Sequence, residues 1–363
     1  MKVLHIVPDF GTGGAEKVIL TYLEKTIDDP EFEFQALSLS NNQGRLYEKY
    51  AEQKGLSIEY LGQNIHDNSI RGRHKQIKEI RQYINNYNPE IVHIHLSILW
   101  MVCLATIGTK TKKIFHTLHS NPIKTSTGKN LYIDRLCYKL FRVTPICLNS
   151  EMKKLADEHF KTDKTLVLPN GIDVDSYRTG AKVSVRNEIG VDGDIFLVGH
   201  VGRFHKVKNH EKIIDVFNEV LKLEPNAELA LVGEGNTRES IENKCKKLGI
   251  INHVKFLGTR SDINRVMQGF DAFIFPSYYE GLGIVMIEAQ AAGLHCVMSD
   301  KVPQEVIVTS KVKTMSLEDP DAEWAKAILD IDGKYGDPKC KIAIYDIDNV
   351  ITKLKSFYKE AVK

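Results

Sequence analysis

Short apolar runs alternate with amphipathic segments through most of this chain, and that alternation restricts its fold more than any other feature. Val3–Val7, Phe34–Ser38, Ile58–Leu61, Ile91–His95, Lys113–Thr117 and Pro145–Leu148 read as strands. Ala15–Lys25, Gly44–Gln53 and Ile77–Tyr87 read as helices between them. A second series comes after Leu166-Val167-Leu168-Pro169-Asn170-Gly171: strands at Ile195–Val201, Leu229–Val232, Val254–Leu257, Ala272–Phe275 and His295–Met298, with helices at His210–Leu223 and Glu239–Leu248. Strands that recur with intervening helices pair in parallel through crossover connections. At 363 residues the chain exceeds one comfortable core. The expectation is α/β: two Rossmann-like, doubly wound parallel-sheet domains facing a central cleft, residues 1–168 and 169–346, with ligands beyond the carboxyl ends of the strands. Pro169-Asn170-Gly171 and the polar residues to Asp194 read as the linker. The amphipathic segment Ile347–Val362 has no strand after it, so residues 347–363 are expected to pack back on the first domain.

Composition narrows the function classes. Hydrophobic residues make up 42% and charged residues 26%, ordinary for a soluble globular chain. The net charge of +2 gives no bulk attraction for nucleic acid, although the excess of lysine and arginine lies in the first half. Cys103, Cys137, Cys147, Cys245, Cys296 and Cys340 form no CxxC pair, which fits buried thiols in a reducing compartment rather than a disulfide framework or zinc site. The first apolar run is too short for a signal peptide, and no apolar stretch reaches the ~18 residues of a spanning helix. The expected location is the cytoplasm.

Candidate chemistry gathers at strand ends. Glu280 and Glu288 bracket a glycine-bearing strand-to-helix turn, Tyr279-Glu280-Gly281-Leu282-Gly283-Ile284. Such a turn offers free backbone N–H groups to an anion, while the two acids can hold hydroxyls on either side of it. A sugar nucleotide has that layout. Arg203 and Lys208, after the first strand of the second domain, can converge on its diphosphate, a planar fork beside a point charge. Gly233, in Leu231-Val232-Gly233-Glu234-Gly235, could wall the nucleotide pocket, and Arg260 could lie near the base; plain structural turns explain both segments as well. Gly11-Thr12-Gly13-Gly14-Ala15-Glu16 opens the first helix, where glycine lets backbone approach a ligand. Glu16 stands where a dinucleotide fingerprint needs glycine.

His93, His95, His116 and His119 cluster at two adjacent strand ends. No carboxylate or cysteine ligand spacing accompanies them, so a substrate-facing histidine, His119 first and His116 second, is expected in place of a metal site. The four Asp-x-Asp pairs, among them Asp173-Val174-Asp175, read as caps and turns.

With these residues in view, the chain resembles the retaining glycosyltransferases of family 4, which have the GT-B fold. The resemblance spans nearly the whole chain and rests on Gly13-Gly14-Ala15-Glu16, Asn170-Gly171-Ile172-Asp173, Gly202-Arg203 with Lys208, Gly233-Glu234-Gly235, and the Glu280-to-Glu288 element. It implies a nucleoside diphosphate sugar bound mainly by the second domain: Arg203 and Lys208 on the diphosphate, Glu280 on the donor sugar, Gly281, Leu282 and Gly283 supplying backbone N–H groups, and Glu288 on the ribose. Gly13 and Gly14 approach from the first domain, and His119 matches a histidine near the reacting sugar. Asn209 stands where the family lysine is often followed by glycine. The resemblance further implies retention of anomeric configuration, no bound metal or other cofactor, and a front-face reaction in which the leaving phosphate oxygen helps deprotonate the acceptor.

The resulting expectation is a hexosyltransferase using a UDP-sugar, with a saccharide or polyprenyl-diphosphate-linked saccharide as acceptor, in bacterial capsule or exopolysaccharide synthesis. The basic stretch Arg71–Arg81 could bring it to the inner face of the cell membrane as a peripheral protein, or could be a solvated helix face. The alternatives are a sugar-nucleotide epimerase of similar shape, a non-catalytic nucleotide-sugar-binding protein and, more distantly, an NAD-dependent oxidoreductase.

Overall fold

The computed structural model describes residues 1–363 apart from residues 12, 65, 66, 68 and 334–340. Thr12 of the glycine run and Cys340 therefore lie outside the described residues. The chain divides into two compact units, Met1–Gly171 with Ile347–Lys363, and Ile172–Asp346.

The first unit is built on seven parallel strands: β1 (Lys2–Val7), β2 (Glu33–Ser38), β3 (Ile58–Tyr60), β4 (Ile91–His95), β5 (Lys113–Leu118), β6 (Thr144–Cys147) and β7 (Leu166–Val167), in the order β3-β2-β1-β4-β5-β6-β7. The crossovers are α1 (Gly14–Lys25), α2 (Leu46–Lys54), α3 (Ile70–Tyr87), α4 (Leu99–Ala105), the single turn α5 (Pro122–Thr125), α6 (Gly128–Leu140) and α7 (Ser150–Phe160). The order reverses direction between β1 and β4, where such sheets open a crevice at their carboxyl ends. β4 is buried along its whole length, as a central strand covered on both faces must be.

Capping places several of these helices. α3 starts seven residues before the expected Ile77 because the Ser69 hydroxyl accepts from the Gly72 amide at 3.0 Å. It buries Ile80 and Ile84 while Arg71, Lys75 and Lys78 face solvent, so its apolar stripe is directed into the protein.

The second unit has six parallel strands: β8 (Leu197–Val201), β9 (Glu228–Val232), β10 (Val254–Gly258), β11 (Ala272–Phe275), β12 (His295–Ser299) and β13 (Val312–Met315), in the order β10-β9-β8-β11-β12-β13. Its helices are α8 (Lys182–Ile189), α9 (His210–Leu223), α10 (Arg238–Lys247), the single turn α11 (Ile263–Val266), α12 (Ile284–Ala291) and α13 (Asp321–Leu329). The polar segment expected to be linker belongs to this unit. α8 buries Val185 and the Arg186 side chain, which is only 3% exposed. The Arg186 guanidinium donates to the carbonyls of Gly269, Gly193 and Ile195 and pairs with Asp271. A helix held by a buried arginine has little apolar periodicity, and that hid it in the sequence.

The last helix, α14 (Ile347–Val362), belongs to the first unit. Ile347, Val350, Ile351, Leu354 and Tyr358 join the core formed by β1, α1 and β2. The Tyr358 hydroxyl meets His93 Nδ1 at 2.5 Å in the interior.

Candidate active site

In the second unit, the expected donor-site residues come from the ends of β8 and β11. The Val207 carbonyl accepts from the Tyr278 amide at 2.9 Å, and Asn209 Nδ2 donates to the Pro276 carbonyl at 3.2 Å. These two bonds bind the loop after β8 to the turn after β11. The Lys208 ammonium then donates to Glu280 Oε1 at 2.7 Å and lies 5.1 Å from the centre of the Phe275 ring. The stem of Lys208 passes over Gly202, so Arg203 leaves the backbone beside it. Arg203 is exposed and makes no hydrogen bond or ion pair among the described residues. The cluster thus contains one paired cation and one uncommitted guanidinium.

Gly283 caps α12 in the left-handed region, φ 80°, a conformation that side-chain-bearing residues rarely adopt. It turns the chain so that the first amides of α12 come directly after Glu280. Leu282 is buried and anchors the turn. One helical turn further on, Glu288 is 4% exposed, and its Oε1 accepts from the Tyr177 hydroxyl at 2.7 Å. Tyr177 was not anticipated. It lies in the segment read as linker, and only the folded unit brings it beside α12.

Gly233 has φ 135°, and a Cβ there would come within 2.2 Å of the Gly202 carbonyl oxygen. A Cβ at Gly235 would come within 2.3 Å of the Phe204 carbonyl oxygen. These glycines let the loops after β8 and β9 touch backbone to backbone, which fixes Arg203 from below. Arg260 is differently placed: its guanidinium donates to both Asp262 oxygens, each at 2.8 Å, and to Glu188 at 2.7 Å. It is engaged in an ion network through three of its five N–H groups. Asp173, of the first Asp-x-Asp pair, accepts from the Ser176 amide in a local turn.

The first unit ends its central strands in histidines. His5 Nδ1 meets His95 Nε2 at 3.0 Å, and His95 Nδ1 meets His119 Nε2 at 2.9 Å. His5 Nε2 and His119 Nδ1, the two ends of this chain, have no hydrogen-bond partner among the described residues. In the neutral state all three rings share one tautomer, because each bond needs one donor and one acceptor. His119 Nδ1 is consequently a donor or an acceptor according to the state of the whole chain. Burial depresses the basicity of His5 and His119 to about 3, which keeps both rings neutral at pH 7.

His116 has both nitrogens engaged, Nε2 with the Leu96 carbonyl at 2.9 Å and Nδ1 with the Tyr138 hydroxyl at 2.8 Å. The expected acceptor contact is better served by His119. Leu96 itself sits at φ 61°, a strained conformation for a branched residue. His116, His119, Trp100, Asn130 and Ile133 line a cavity of about 190 Å³ within this unit.

Among the described residues, His5, His93 and His95 bring ring nitrogens within 4.8 Å of one another. His93 is bonded to Tyr358 and Thr117, and His5 and His95 are bonded to each other. Five of the six ring nitrogens face hydrogen-bond partners, His5 Nε2 being the exception, so the trio is largely an ordered polar core. At the amino end of α1, a Cβ on Gly13 would meet Glu16 at 2.6 Å, whereas Gly14 has open space. Arg45 pairs with Asp9 next to that loop, a neighbourhood the sequence order does not reveal.

Two doubly wound parallel sheets, with opposed charges at the strand ends of one and buried histidines at those of the other, define a GT-B glycosyltransferase. Residues 13–176 match the family described as Glycosyltransferase Family 4, and residues 181–332 match Glycosyl transferases group 1. Together they take in most of the chain, and the chain belongs to the family 4 glycosyltransferases. It is 28% identical over 343 residues to EpsF of Bacillus subtilis (strain 168), named as a glycosyltransferase, covering 90% of this chain and 86% of that one. It is 26% identical over 247 residues to the Escherichia coli UDP-Gal:alpha-D-GlcNAc-diphosphoundecaprenol alpha-1,3-galactosyltransferase, covering 62% of each. The crystal structure of Anabaena HepE in complex with UDP-glucose superposes with a TM-score of 0.79 at 18% identity, over 99% of this chain and 100% of that one. At that identity the likeness speaks for the fold.

Proposed function

We propose that this glycosyltransferase moves a hexosyl group from a UDP-sugar to a lipid-diphosphate-linked saccharide, with retention and without a bound metal, in the assembly of a bacterial surface polysaccharide. The observation that carries the reading is the Lys208–Glu280 pair at 2.7 Å, held beside the uncommitted Arg203 and ahead of the amino end of α12. Arriving diphosphate competes with Glu280 for Lys208 and gains Arg203 as a second cation. That frees the Glu280 carboxylate to accept from sugar hydroxyls. The amides of Gly281, Leu282 and Gly283 add uncharged donors to the same anion. Glu288, steadied by Tyr177, accepts from the two ribose hydroxyls.

As the glycosidic C–O bond breaks, negative charge grows on the departing phosphate. Fixed cations stabilise that state more than the bound substrate, which lowers the barrier. Lys208 and Arg203 supply the charge that a divalent ion supplies elsewhere, which supports metal independence. The departing oxygen takes the acceptor proton on the face it leaves, and this gives retention. His119 supports an acceptor hydroxyl in the first unit through its free Nδ1. The named activity of the Escherichia coli relative supports a lipid-linked acceptor, and the UDP-glucose complex of the Anabaena protein supports a uridine donor.

Incubation with a panel of nucleotide sugars, with and without bacterial membrane extract, tests the reading. UDP released only when both donor and extract are present supports it. An altered nucleotide sugar formed without extract indicates an epimerase, and binding without turnover a sensor. Protection against heating by one UDP-sugar identifies the donor.

A further inference from the structure

Four of the exposed large apolar side chains among the described residues fall on one helix: α6 carries Tyr132 at 70% exposure, Ile133 at 41%, Leu136 at 55% and Leu140 at 64%. At 100° per residue they share a single stripe, with Lys129 near its middle and Lys139 on its edge. The opposite side of α6 buries Cys137 and Tyr138, so the helix is anchored by one face and presents another apolar face outward. Arg142, two residues beyond its last residue Leu140, is exposed. Asp134, the helix's one acid, accepts from Ser126 Oγ at 2.6 Å and lines the cavity with His119, so it does not offset the cations of the stripe. A solvated helix face has no reason to expose four large apolar groups in register.

We propose that the outward face of α6 docks on an anionic phospholipid bilayer, with Tyr132, Leu136 and Leu140 entering the headgroup boundary and Lys129, Lys139 and Arg142 meeting lipid phosphates. Charge complementarity selects the occupant. Apolar side chains interleaved with cations and free of competing acid match an anionic interface, in which lysine stems lie along the apolar layer and their heads reach the phosphates. The surface also adjoins the cavity: Asn130 and Ile133 of α6 line it, so a saccharide entering there would leave its lipid end on this face. Only that last step rests on the lipid-linked acceptor reading. The basic helix α3 is the contrasting case, because Ile80 and Ile84 are buried and its exposed face is charged without an apolar stripe.

Flotation of the full chain with vesicles tests this, using phosphatidylcholine alone and phosphatidylcholine with roughly a third phosphatidylglycerol. Binding to the anionic vesicles only, weakening as salt rises, is expected. The triple variant Tyr132→Ser, Leu136→Ser, Leu140→Ser should lower partitioning about tenfold or more. Lys129→Glu with Lys139→Glu should lower it several-fold, and Lys75→Glu with Lys78→Glu on α3 should leave it within about twofold. All substituted side chains are exposed, and an unchanged melting temperature shows each variant folded. Protection of the triple variant by UDP-sugar should equal that of the parent. Absence of vesicle binding by the parent, or equal binding by the triple variant, overturns the docking surface and leaves the transferase reading standing. A dimer by light scattering that the triple variant converts to monomer also overturns it, since a second copy then covers the face. Vesicle binding by a chain that transfers sugar to no acceptor supports the surface and removes the transferase reading.

Discussion

The two units share one topology and finish it with opposite chemistry. Around β1, β4 and β5 the first unit buries His5, His93, His95 and His116 and half-buries His119, and desolvation holds all five neutral. After β8 and β11 the second unit sets Arg203, Lys208 and Glu280 around a helix amino end. Fixed charge at a strand end suits a diphosphate, whereas neutral rings in a dry interior suit a hydroxyl that must be oriented without being ionised. On the proposed reading one scaffold hosts both an anion site and a hydroxyl site, and the loops and side chains at the strand ends make the difference.

Acidification should separate the units most strongly. A histidine whose folded pKa is depressed binds fewer protons folded than unfolded, so its contribution is complete above about 6.5 and is lost as pH falls through the window down to the folded value. His116 is lowered to about 4, and His5 and His119 to about 3. The second unit carries three such rings, His200, His210 and His295. Calorimetry between pH 6.5 and 4 should show the first unit melting progressively earlier, by ~2–4 °C for each kcal/mol lost. If the second unit melts first, the contrast between the units fails.

Substitution of the charged cluster ranks next. Glu280→Gln should reduce turnover about a hundredfold while changing UDP affinity far less, and Lys208→Ala should reduce both about tenfold or more. Initial rates and UDP titration separate the two, and unaltered diphosphate binding by the lysine variant would remove the cation assignment. His119→Ala should cut kcat by roughly ten- to a hundredfold and leave UDP affinity unchanged, since the anion belongs to the other unit. A matching loss of UDP affinity would blur the division. The smallest effect is expected for Tyr177→Phe, a few-fold weakening of UDP binding as Glu288 loses the Tyr177 hydroxyl bond, read by calorimetric titration.

Much of the fold was legible in residue order. Ile91–His95 and Ala272–Phe275 are apolar enough to be read as central strands, and the Glu280-to-Glu288 spacing identifies a turn followed by a helix. Other parts were hidden for physical reasons. α8 is held by the polar bonds of Arg186, which leave little apolar period. Tyr177 and Glu288 stand 111 positions apart and meet only in the folded unit. The His5–His95–His119 chain joins three separate strand ends, and spacing along one strand cannot show it. Arg260 looked available at a strand end, but Asp262 two residues later and distant Glu188 engage it. The basic residues of α3 suggested a membrane contact that its buried stripe does not favour, whereas the apolar stripe of α6 becomes visible only once exposure is known.

Helix α14 completes the core of the first unit, yet it is translated after the entire second unit. Until Tyr358 emerges from the ribosome, His93 lacks its hydroxyl partner and the apolar groove over β1 and β2 stays uncovered. The nascent first unit must therefore persist in an unfinished state while some 175 residues are synthesised. A nonsense codon ahead of residue 347 would leave the later-made unit with its own sheet intact and cripple the one made first.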